Sequence, residues 1–153
     1  MPRFQKVIFV CTENTCRSIM AEAVMRFVSR ERYIDIVSRG LVVLFPEPLN
    51  PKAVAVLTGN HMPPVKTNSE PLTADDLEED TLILTMTEKE RQVVKERFPE
   101  AEMVYTLGAF AGRQVDIEEP HGGSMAEYGA CYEYIDLLVK LAAEIIFKAN
   151  GTL

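Results

Sequence analysis

The chain has 153 residues, of which 47% are hydrophobic and 25% are charged, and its formal net charge is −7. This length predicts one domain over residues 1–153, and the negative charge argues against nucleic acid as a partner, because nucleic-acid binding requires a basic surface. The apolar runs are too short to cross a bilayer and the first six residues lack the features of a secretion signal, so we expect a cytoplasmic protein with no membrane partner.

Cysteine usage limits the kinds of site that the chain can build. The cysteines stand at positions 11, 16 and 131, which is too few for the disulfide framework of a secreted domain. The sequence has no second Cys/His cluster that would complete a zinc site with Cys11 and Cys16. We therefore expect neither a structural metal nor a cofactor. Cys131 lies beside the apolar stripe of a predicted helix and is interpreted as a core thiol.

The stretch from Val7 to Arg30 predicts a strand, a short loop and a helix. Residues 7–10 are apolar and strand-forming, and residues 19–30 have apolar side chains at helical spacing. The first N–H groups of a helix have no intrahelical partner and the helix dipole is positive there, so such a loop favours anions. We expect Cys11 to have a lowered thiol pKa and Arg17 to grip two phosphate oxygens. The alternative is a buried strand-end thiol and a surface arginine.

The rest of the chain also alternates strands with helices. Further strands are predicted at residues 33–37, 81–86 and 103–106, and further helices at 52–57, 73–76, 87–98 and from 124 onward. Asn50, Thr87 and Ser124 have the positions of helix N-caps. Loops are expected at 41–48, where the chain walls a pocket, at 58–71, a surface connection, and at 107–119, a loop or broken helix.

This alternation predicts an α/β protein, a three-layer α/β/α sandwich around a four-stranded parallel sheet. Ligands of such folds bind at the carboxyl ends of the strands, where Cys11, Ser38, Met86 and the loop after Tyr105 are expected to converge. Ser38 either supports the loop after Cys11 or belongs to an ordinary turn. The inward stripe of the last helix is predicted to contain Tyr128, Tyr132, Ile135, Leu138, Ala142, Ile145 and Ala149.

Four segments together resemble the low-molecular-weight protein tyrosine phosphatase family over nearly the whole chain. They are VIFVCTENTCRSIMAEAVMRF at 7–27, SRG at 38–40, LILTMT at 82–87 and EPHGGSMAEY at 119–128. The C-x-G-N-x-C-R-S loop of that family is matched at Cys11, Asn14, Cys16, Arg17 and Ser18. The resemblance implies a flavodoxin-like fold of the phosphotyrosine phosphatase I type, chemistry without metal, and a phosphorylated protein or peptide as the partner.

The resemblance also implies a two-step phosphoryl transfer. Cys11 attacks phosphorus as a thiolate, a cysteinyl-phosphate forms, and water then releases inorganic phosphate. In this family Asn14 would shape the loop, Ser18 would stabilise the thiolate, and Cys16 would form a reversible disulfide with Cys11, with a packing role for Cys16 as the alternative. The implied phosphate-binding loop comprises Thr12, Glu13, Asn14, Thr15, Cys16, Arg17 and Ser18.

Two positions of this loop bear on activity and specificity. Glu13 stands where the family usually has glycine, and its carboxylate either weakens phosphate binding, raises the pKa of Cys11 or points outward. At Thr15, tyrosine-directed members usually have a larger aliphatic residue, whereas protein-arginine phosphatases of the same family have the loop C-T-G-N-T-C-R-S. We rank phosphotyrosine in proteins first as the substrate, by the breadth of the family, with phosphoarginine as the alternative.

The general acid of the family, an aspartate in a D-P-Tyr/Phe loop, is replaced in this chain. Alignment on the following Gly-Gly-Ser places Glu119 at the aspartate and His121 at the aromatic residue. Glu119 is therefore the candidate acid, with Asp116, Glu118 and His121 as substitutes and a solvated carboxylate as the alternative. Glu13 and Glu119 together leave one more alternative, a catalytically weak adaptor that binds phosphorylated residues without release.

Overall fold

The computed structural model describes residues 3–151, in which strands and helices alternate. The strands are β1 (Lys6–Cys11), β2 (Asp35–Gly40), β3 (Thr81–Thr85) and β4 (Met103–Thr106). The helices are α1 (Arg17–Val28), α2 (Pro51–Gly59), α3 (Glu88–Arg97), α4 (Leu107–Phe110) and α5 (Met125–Ala149), and a 3₁₀ turn lies at Ala74–Asp76. None of these helices is both long and apolar enough to cross a membrane.

The four strands form one parallel sheet in the order β2-β1-β3-β4. Strand β1 is buried along its whole length, because strands flank it on both sides and helices cover both faces of the sheet. Helices α1, α2 and α5 pack together on one face, and α3 packs on the other. This arrangement confirms the predicted α/β sandwich with a four-stranded parallel sheet.

Alternate residues of β1 belong to two separate cores. Val7 and Phe9 pack in the larger core with α1 and α5, whereas Ile8 and Val10 pack in the smaller core with α3. This alternation follows from the two-residue period of a strand. Cys11 continues the series on the side of α1, so its side chain lies where the loop leads into that helix.

The second strand differs from its prediction at both ends. We predicted residues 33–37, but β2 runs from Asp35 to Gly40, and Tyr33 is fully exposed. The parallel register pairs Cys11 with Gly40, so pairing continues to the end of β1. Residues 38–40 resemble a turn in composition, yet the neighbouring strand holds them extended. The interpretation of Ser38 as part of an ordinary turn is therefore wrong.

Helix α5 departs from the predicted stripe only near its end. The first five positions of the stripe, from Tyr128 to Ala142, are buried as predicted. Ile145 and Ala149 are exposed, and Ile146 is buried in their place. After Ala142 the prediction took a step of three residues, to Ile145, whereas the buried face continues four residues on, at Ile146. Because one residue turns the helix by about 100°, this difference moves the side chain from the core to the surface.

Candidate active site

The loop of residues 11–18 joins β1 to α1, and the start of α1 differs from the starts of the other long helices. Asn50, Thr87 and Ser124 accept hydrogen bonds from first-turn N–H groups of α2, α3 and α5, whereas Cys16, the residue before α1, makes no such bond. The first turn of α1 also contains no acidic residue. The positive end of this helix therefore faces the loop without a side chain that neutralises it, which suits an anion.

Cys11 is fully buried at the end of β1, and its Sγ lies 2.9 Å from Ser18 Oγ. Burial raises the pKa of the thiol, while the charge of Arg17 and the hydrogen bond with Ser18 lower it. The net direction is upward, so the expectation of a lowered pKa is wrong for this arrangement. The reason is that removing the thiolate from water outweighs its two stabilising neighbours. Ser18 and Arg17 are the groups that favour the reactive thiolate.

Asn14 fixes the path of the loop. Its φ of 57° lies in the left-handed region, which asparagine adopts more readily than most residues. Its Nδ2 donates to Ser18 Oγ at 2.7 Å, and its Oδ1 accepts from Lys66 Nζ at 2.7 Å and from Glu70 N at 3.0 Å. A chain of contacts therefore runs from Lys66 through Asn14 and Ser18 to the sulfur of Cys11.

Strand β2 and Lys66 support the same loop from the side. Ser38 Oγ donates to the buried carboxylate of Glu22, and the Ser38 carbonyl accepts from Lys66 Nζ at 2.9 Å. Gly40 has no room for a side chain, because a Cβ there would lie 2.9 Å from Asn14 Cβ. Lys66 belongs to the segment interpreted only as a surface connection, and no pattern in the sequence marks it as part of the site.

Arg17 is buried, and three segments of the chain hold its guanidinium group. Nη1 donates to the carbonyl oxygen of Ile117 at 2.9 Å, and Nη2 donates to Glu90 Oε2 at 3.0 Å. Nε faces Glu119 Oε2 at 3.5 Å. Within the described residues, Arg17 Nε, Glu119 Oε1 and, in helix α5, Asp136 Oδ1 are buried without a hydrogen-bond partner. Such atoms are uncommon in folded proteins and often mark a functional site.

Glu90 enters the site from the first turn of α3. It completes the capping box of that helix, and its carboxylate also accepts hydrogen bonds from Arg17 and from Thr12 Oγ1, the latter at 2.7 Å. The sequence identified the capping box but not this second role. The available signal was position, because the box directly follows β3, whose carboxyl end lies beside that of β1 in the sheet.

Among the four candidates for the general acid, Glu119 is the one that faces Arg17 in the described structure. Its side chain is 22% exposed, so one part of it is open to solvent and another part is buried. Asp116 is exposed and accepts a hydrogen bond at 3.0 Å from the backbone at the start of α3. Glu118 and His121 are also exposed. The geometry therefore favours Glu119 for proton transfer at the loop.

The two loop positions with open interpretations differ in exposure. Glu13 is exposed and lines a pocket of about 250 Å³ with residues 42–45, outside the pocket that contains Arg17. Of the three alternatives for Glu13, this exposure corresponds to the outward orientation. Residues 42–45 form a pocket wall, as expected for the 41–48 loop. Thr15 is partly exposed, and its carbonyl oxygen accepts from Asn50 N at 3.0 Å.

The other two cysteines lie close to the acid loop. Cys16 is buried, Cys131 is partly buried, and both are free thiols in this structure, as is Cys11. Burial is the main cause that raises the pKa of both, and the charge of Glu119 adds to it, so that the pKa of Cys131 rises to about 11. Cys131 packs against the larger core, in keeping with its interpretation as a core thiol. The disulfide between Cys11 and Cys16 stays a prediction.

A pocket of about 350 Å³ opens beside Arg17. Its walls include Thr12 from the loop, Val42 from the segment after β2, and Glu118 and Glu119 from the acid loop. Within the described residues, no aromatic side chain lines this pocket. Lys89 and Arg97 also line it, so a substrate side chain that reached the loop through this pocket would pass aliphatic residues, carboxylates and two basic side chains.

A family model described as low molecular weight phosphotyrosine protein phosphatase matches residues 6–149. The chain belongs to this family. The match confirms the resemblance drawn from the sequence, and it identifies the protein as a cysteine phosphatase of the low-molecular-weight class.

Similar proteins include both tyrosine and arginine phosphatases. The low molecular weight protein-tyrosine-phosphatase PtpB of Staphylococcus haemolyticus is 31% identical over 134 residues, which cover 88% of this chain and 94% of that protein. The protein-arginine-phosphatase of Bacillus subtilis is 32% identical over 147 residues, which cover 93% and 97%. A solved structure of a Cys-to-Ser mutant of the arginine phosphatase YwlE, with a phosphorylated active site serine, has a TM-score of 0.87 at 29% identity and covers 97% of this chain and 99% of its own.

Proposed function

We propose that the protein removes phosphoryl groups from protein side chains with Cys11 as the nucleophile. The observation that carries this proposal is the position of the buried Cys11 sulfur, beside the uncapped start of α1 and the anchored guanidinium of Arg17. A phosphoryl group there would accept hydrogen bonds from loop N–H groups and from Arg17 Nε, which makes no hydrogen bond in this structure. The relative with a phosphorylated active site serine supports a covalent phosphoryl intermediate.

The proposed reaction has two steps, transfer of the phosphoryl group to Cys11 and hydrolysis of the intermediate. In the first, the Cys11 thiolate forms an S–P bond while the bond from phosphorus to the substrate oxygen or nitrogen breaks, and protonated Glu119 donates its proton to the leaving atom. Arg17 and the loop N–H groups stabilise the charge on the three non-bridging oxygens. In the second step, water attacks phosphorus, the Glu119 carboxylate accepts a proton, and the S–P bond breaks. Inorganic phosphate leaves and Cys11 is again a thiolate.

The walls of the pocket beside Arg17 bear on the substrate, and they favour phosphoarginine over the phosphotyrosine that the sequence ranks first. A tyrosine ring gains most from an aromatic partner, and the described residues provide none in this pocket. The guanidinium of phosphoarginine has N–H donors, for which Glu118 and Glu119 supply acceptors, and these carboxylates offset the positive charge of Lys89 and Arg97 in the same wall. Thr15 in the loop and the protein-arginine-phosphatase relative support the same choice. Phosphotyrosine stays the second candidate, because the PtpB relatives are named protein-tyrosine-phosphatases.

The first test asks whether the protein is an active phosphatase that uses Cys11. We expect wild-type protein to hydrolyse p-nitrophenyl phosphate without added metal. The Cys11→Ser variant should lose this activity, because a serine hydroxyl is not ionised at neutral pH and is a much weaker nucleophile than a thiolate. Cys131→Ser serves as the matched control, since it removes a thiol from the core, and it should keep the activity. Wild-type protein that is no faster than Cys11→Ser but still binds phosphopeptides would establish the adaptor alternative instead.

The second test separates the two substrate classes. Peptides that carry phosphoarginine or phosphotyrosine in the same flanking sequence should differ in kcat/KM, with the phosphoarginine peptide preferred. Thr15→Ile should shift the ratio towards phosphotyrosine, because it places a larger aliphatic side chain in the loop. A wild-type preference for phosphotyrosine, or a ratio that Thr15→Ile leaves unchanged, would contradict this part of the proposal.

A further inference from the structure

Glu90 makes more contacts with its carboxylate than a helix cap needs. Oε1 accepts from Met86 N at 3.1 Å and from Thr87 N at 2.9 Å, which completes the cap of α3. Oε2 accepts from Arg17 Nη2 at 3.0 Å and from Thr12 Oγ1 at 2.7 Å. One oxygen of the carboxylate therefore serves the helix, and the other serves the loop of residues 11–18.

The burial of Glu90 also distinguishes it from an ordinary capping residue. Its exposure is 5%, whereas Glu127, which has the same place in the capping box of α5, is exposed. A carboxylate withdrawn from water is destabilising unless it is paired and fully hydrogen-bonded. Arg17 supplies the charge and Thr12 the additional donor that make this burial tolerable. The capping function of α3 alone does not require this arrangement.

We propose that Glu90 is a positioning residue of the candidate active site, which holds Arg17 and Thr12 in a fixed relation before phosphate binds. The inference rests on the proposed function, in which Arg17 binds the phosphoryl group. Contacts of Nη1 with Ile117 and of Nη2 with Glu90 fix the plane of the guanidinium, while Nε faces Glu119 and makes no hydrogen bond. Because Thr12 and Arg17 stand near opposite ends of the loop, one carboxylate connects both ends to α3.

An amide cannot replace the carboxylate in this position. All four groups around Glu90 donate hydrogen bonds, two to each oxygen. In Glu90→Gln, the amide NH₂ must face either the two backbone N–H groups or the pair formed by Arg17 and Thr12. The backbone groups and Arg17 can only donate, so in either orientation at least one donor faces another donor. The substitution is nearly isosteric, so it removes the charge and one set of contacts while it keeps the size of the side chain.

The test compares Glu90→Gln with a variant that weakens the packing of α3 one turn further along the helix. Glu90→Gln should lower kcat for p-nitrophenyl phosphate by about 10- to 100-fold, since misplaced catalytic groups cost this much, and should change KM less than kcat. Val94→Ala, a fully buried position of α3 in the smaller core, should lower the melting temperature but keep kcat within about twofold, because it lies away from the loop contacts.

A second comparison asks whether Glu90 acts through Arg17. In an Arg17→Lys background, Glu90→Gln should lower kcat by less than about threefold further. The reason is that a single lysine amine cannot contact both the Ile117 carbonyl and the Glu90 carboxylate as the guanidinium does. Equal loss in both backgrounds would overturn the inference. So would a Glu90→Gln variant with wild-type kcat, or a fall in kcat that Val94→Ala reproduces at the same loss of melting temperature.

A third measurement does not depend on turnover. NMR spectra of ¹⁵N-labelled wild-type protein should show slowly exchanging proton signals from the Nη groups of Arg17. Their absence from Arg17→Lys assigns them, and Glu90→Gln should lose them too. If the wild-type protein hydrolysed no phosphate ester, the proposed function would fail, and these signals would still decide the positioning role. Signals that survive in Glu90→Gln would refute the role of Glu90 alone.

Discussion

At the scale of residues, the site balances one buried cation against several groups that carry or develop negative charge. Arg17 contacts Glu90 and faces Glu119, and its charge also lowers the pKa of the Cys11 thiol. Burial raises that pKa, and the charge of Glu90 acts in the same direction. The short contact with Ser18 therefore matters, because its hydrogen bond opposes burial without adding charge to the site.

Removal of the Ser18 hydroxyl should make the thiol harder to ionise. In Ser18→Ala, Cys11 loses a hydrogen bond that favours its thiolate, so its folded-state pKa rises further above the ordinary value. The rate of alkylation by iodoacetamide should then reach half of its maximum at a higher pH than in wild-type protein. The measurement is made in a Cys131→Ser background so that Cys11 dominates the reaction.

Ser124→Ala is the matched control for this experiment, because it removes a serine hydroxyl from the cap of α5 and leaves the loop untouched. Its alkylation profile should coincide with that of the parent protein. A midpoint in Ser18→Ala that stays in place or moves to lower pH would show that the Ser18 hydroxyl does not stabilise the thiolate.

At the scale of elements, the end of β2 decides how closely the loop of residues 11–18 can approach the sheet. Gly40 pairs with Cys11 in the parallel register. A Cβ at Gly40 would lie 2.6 Å from Val43 Cγ2 and 2.9 Å from Asn14 Cβ, which is closer than carbon atoms normally pack. Asn14 has its left-handed conformation directly above this position, so the loop has little freedom to move away.

Gly40→Ala should therefore be destabilising and should lower activity together with stability. We expect the free energy of unfolding to fall by about 1–3 kcal/mol, the usual effect of overpacking, and kcat/KM to fall because the loop is displaced. Gly129→Ala is the control, since a Cβ there meets nothing within 4 Å and lies in α5, where alanine favours the helix by about 1 kcal/mol. Denaturant titration and steady-state kinetics measure both effects. A Gly40→Ala variant as stable and active as Gly129→Ala would refute this account.

Much at this scale could be predicted from the sequence, because local patterns determine it. The caps at Asn50, Thr87 and Ser124 follow from residue type and spacing, and the helices begin where those caps predict. The end of β2 could not be predicted in this way, since residues 38–40 are extended only because β1 pairs with them. The roles of Lys66 and Glu90 depend on contacts between residues 52 and 73 positions apart, respectively, which no local pattern encodes.

At the scale of the whole molecule, a protein with a net charge of −7 contains a site suited to anions. Beyond about 8 Å at physiological ionic strength, salt screens the overall charge, so the local groups control binding. The parallel sheet makes this possible, because it brings the ends of β1, β2 and β3 to one edge and with them the start of α1, Gly40 and Glu90. These segments, together with Lys66 and the acid loop, therefore meet around the loop of residues 11–18.

The most direct test of this account is to observe the phosphoryl group on Cys11. Glu119→Gln protein, in which we expect slower hydrolysis of the intermediate, is mixed with a phosphoarginine peptide and quenched in acid within one turnover. The intact protein and its peptides are then analysed by mass spectrometry. One added phosphoryl group should be found on Cys11. The double variant Cys11→Ser/Cys131→Ser, treated in the same way, should carry no phosphoryl group on sulfur. Turnover with no phosphorylated protein at any time, or with the group on another residue, would contradict it.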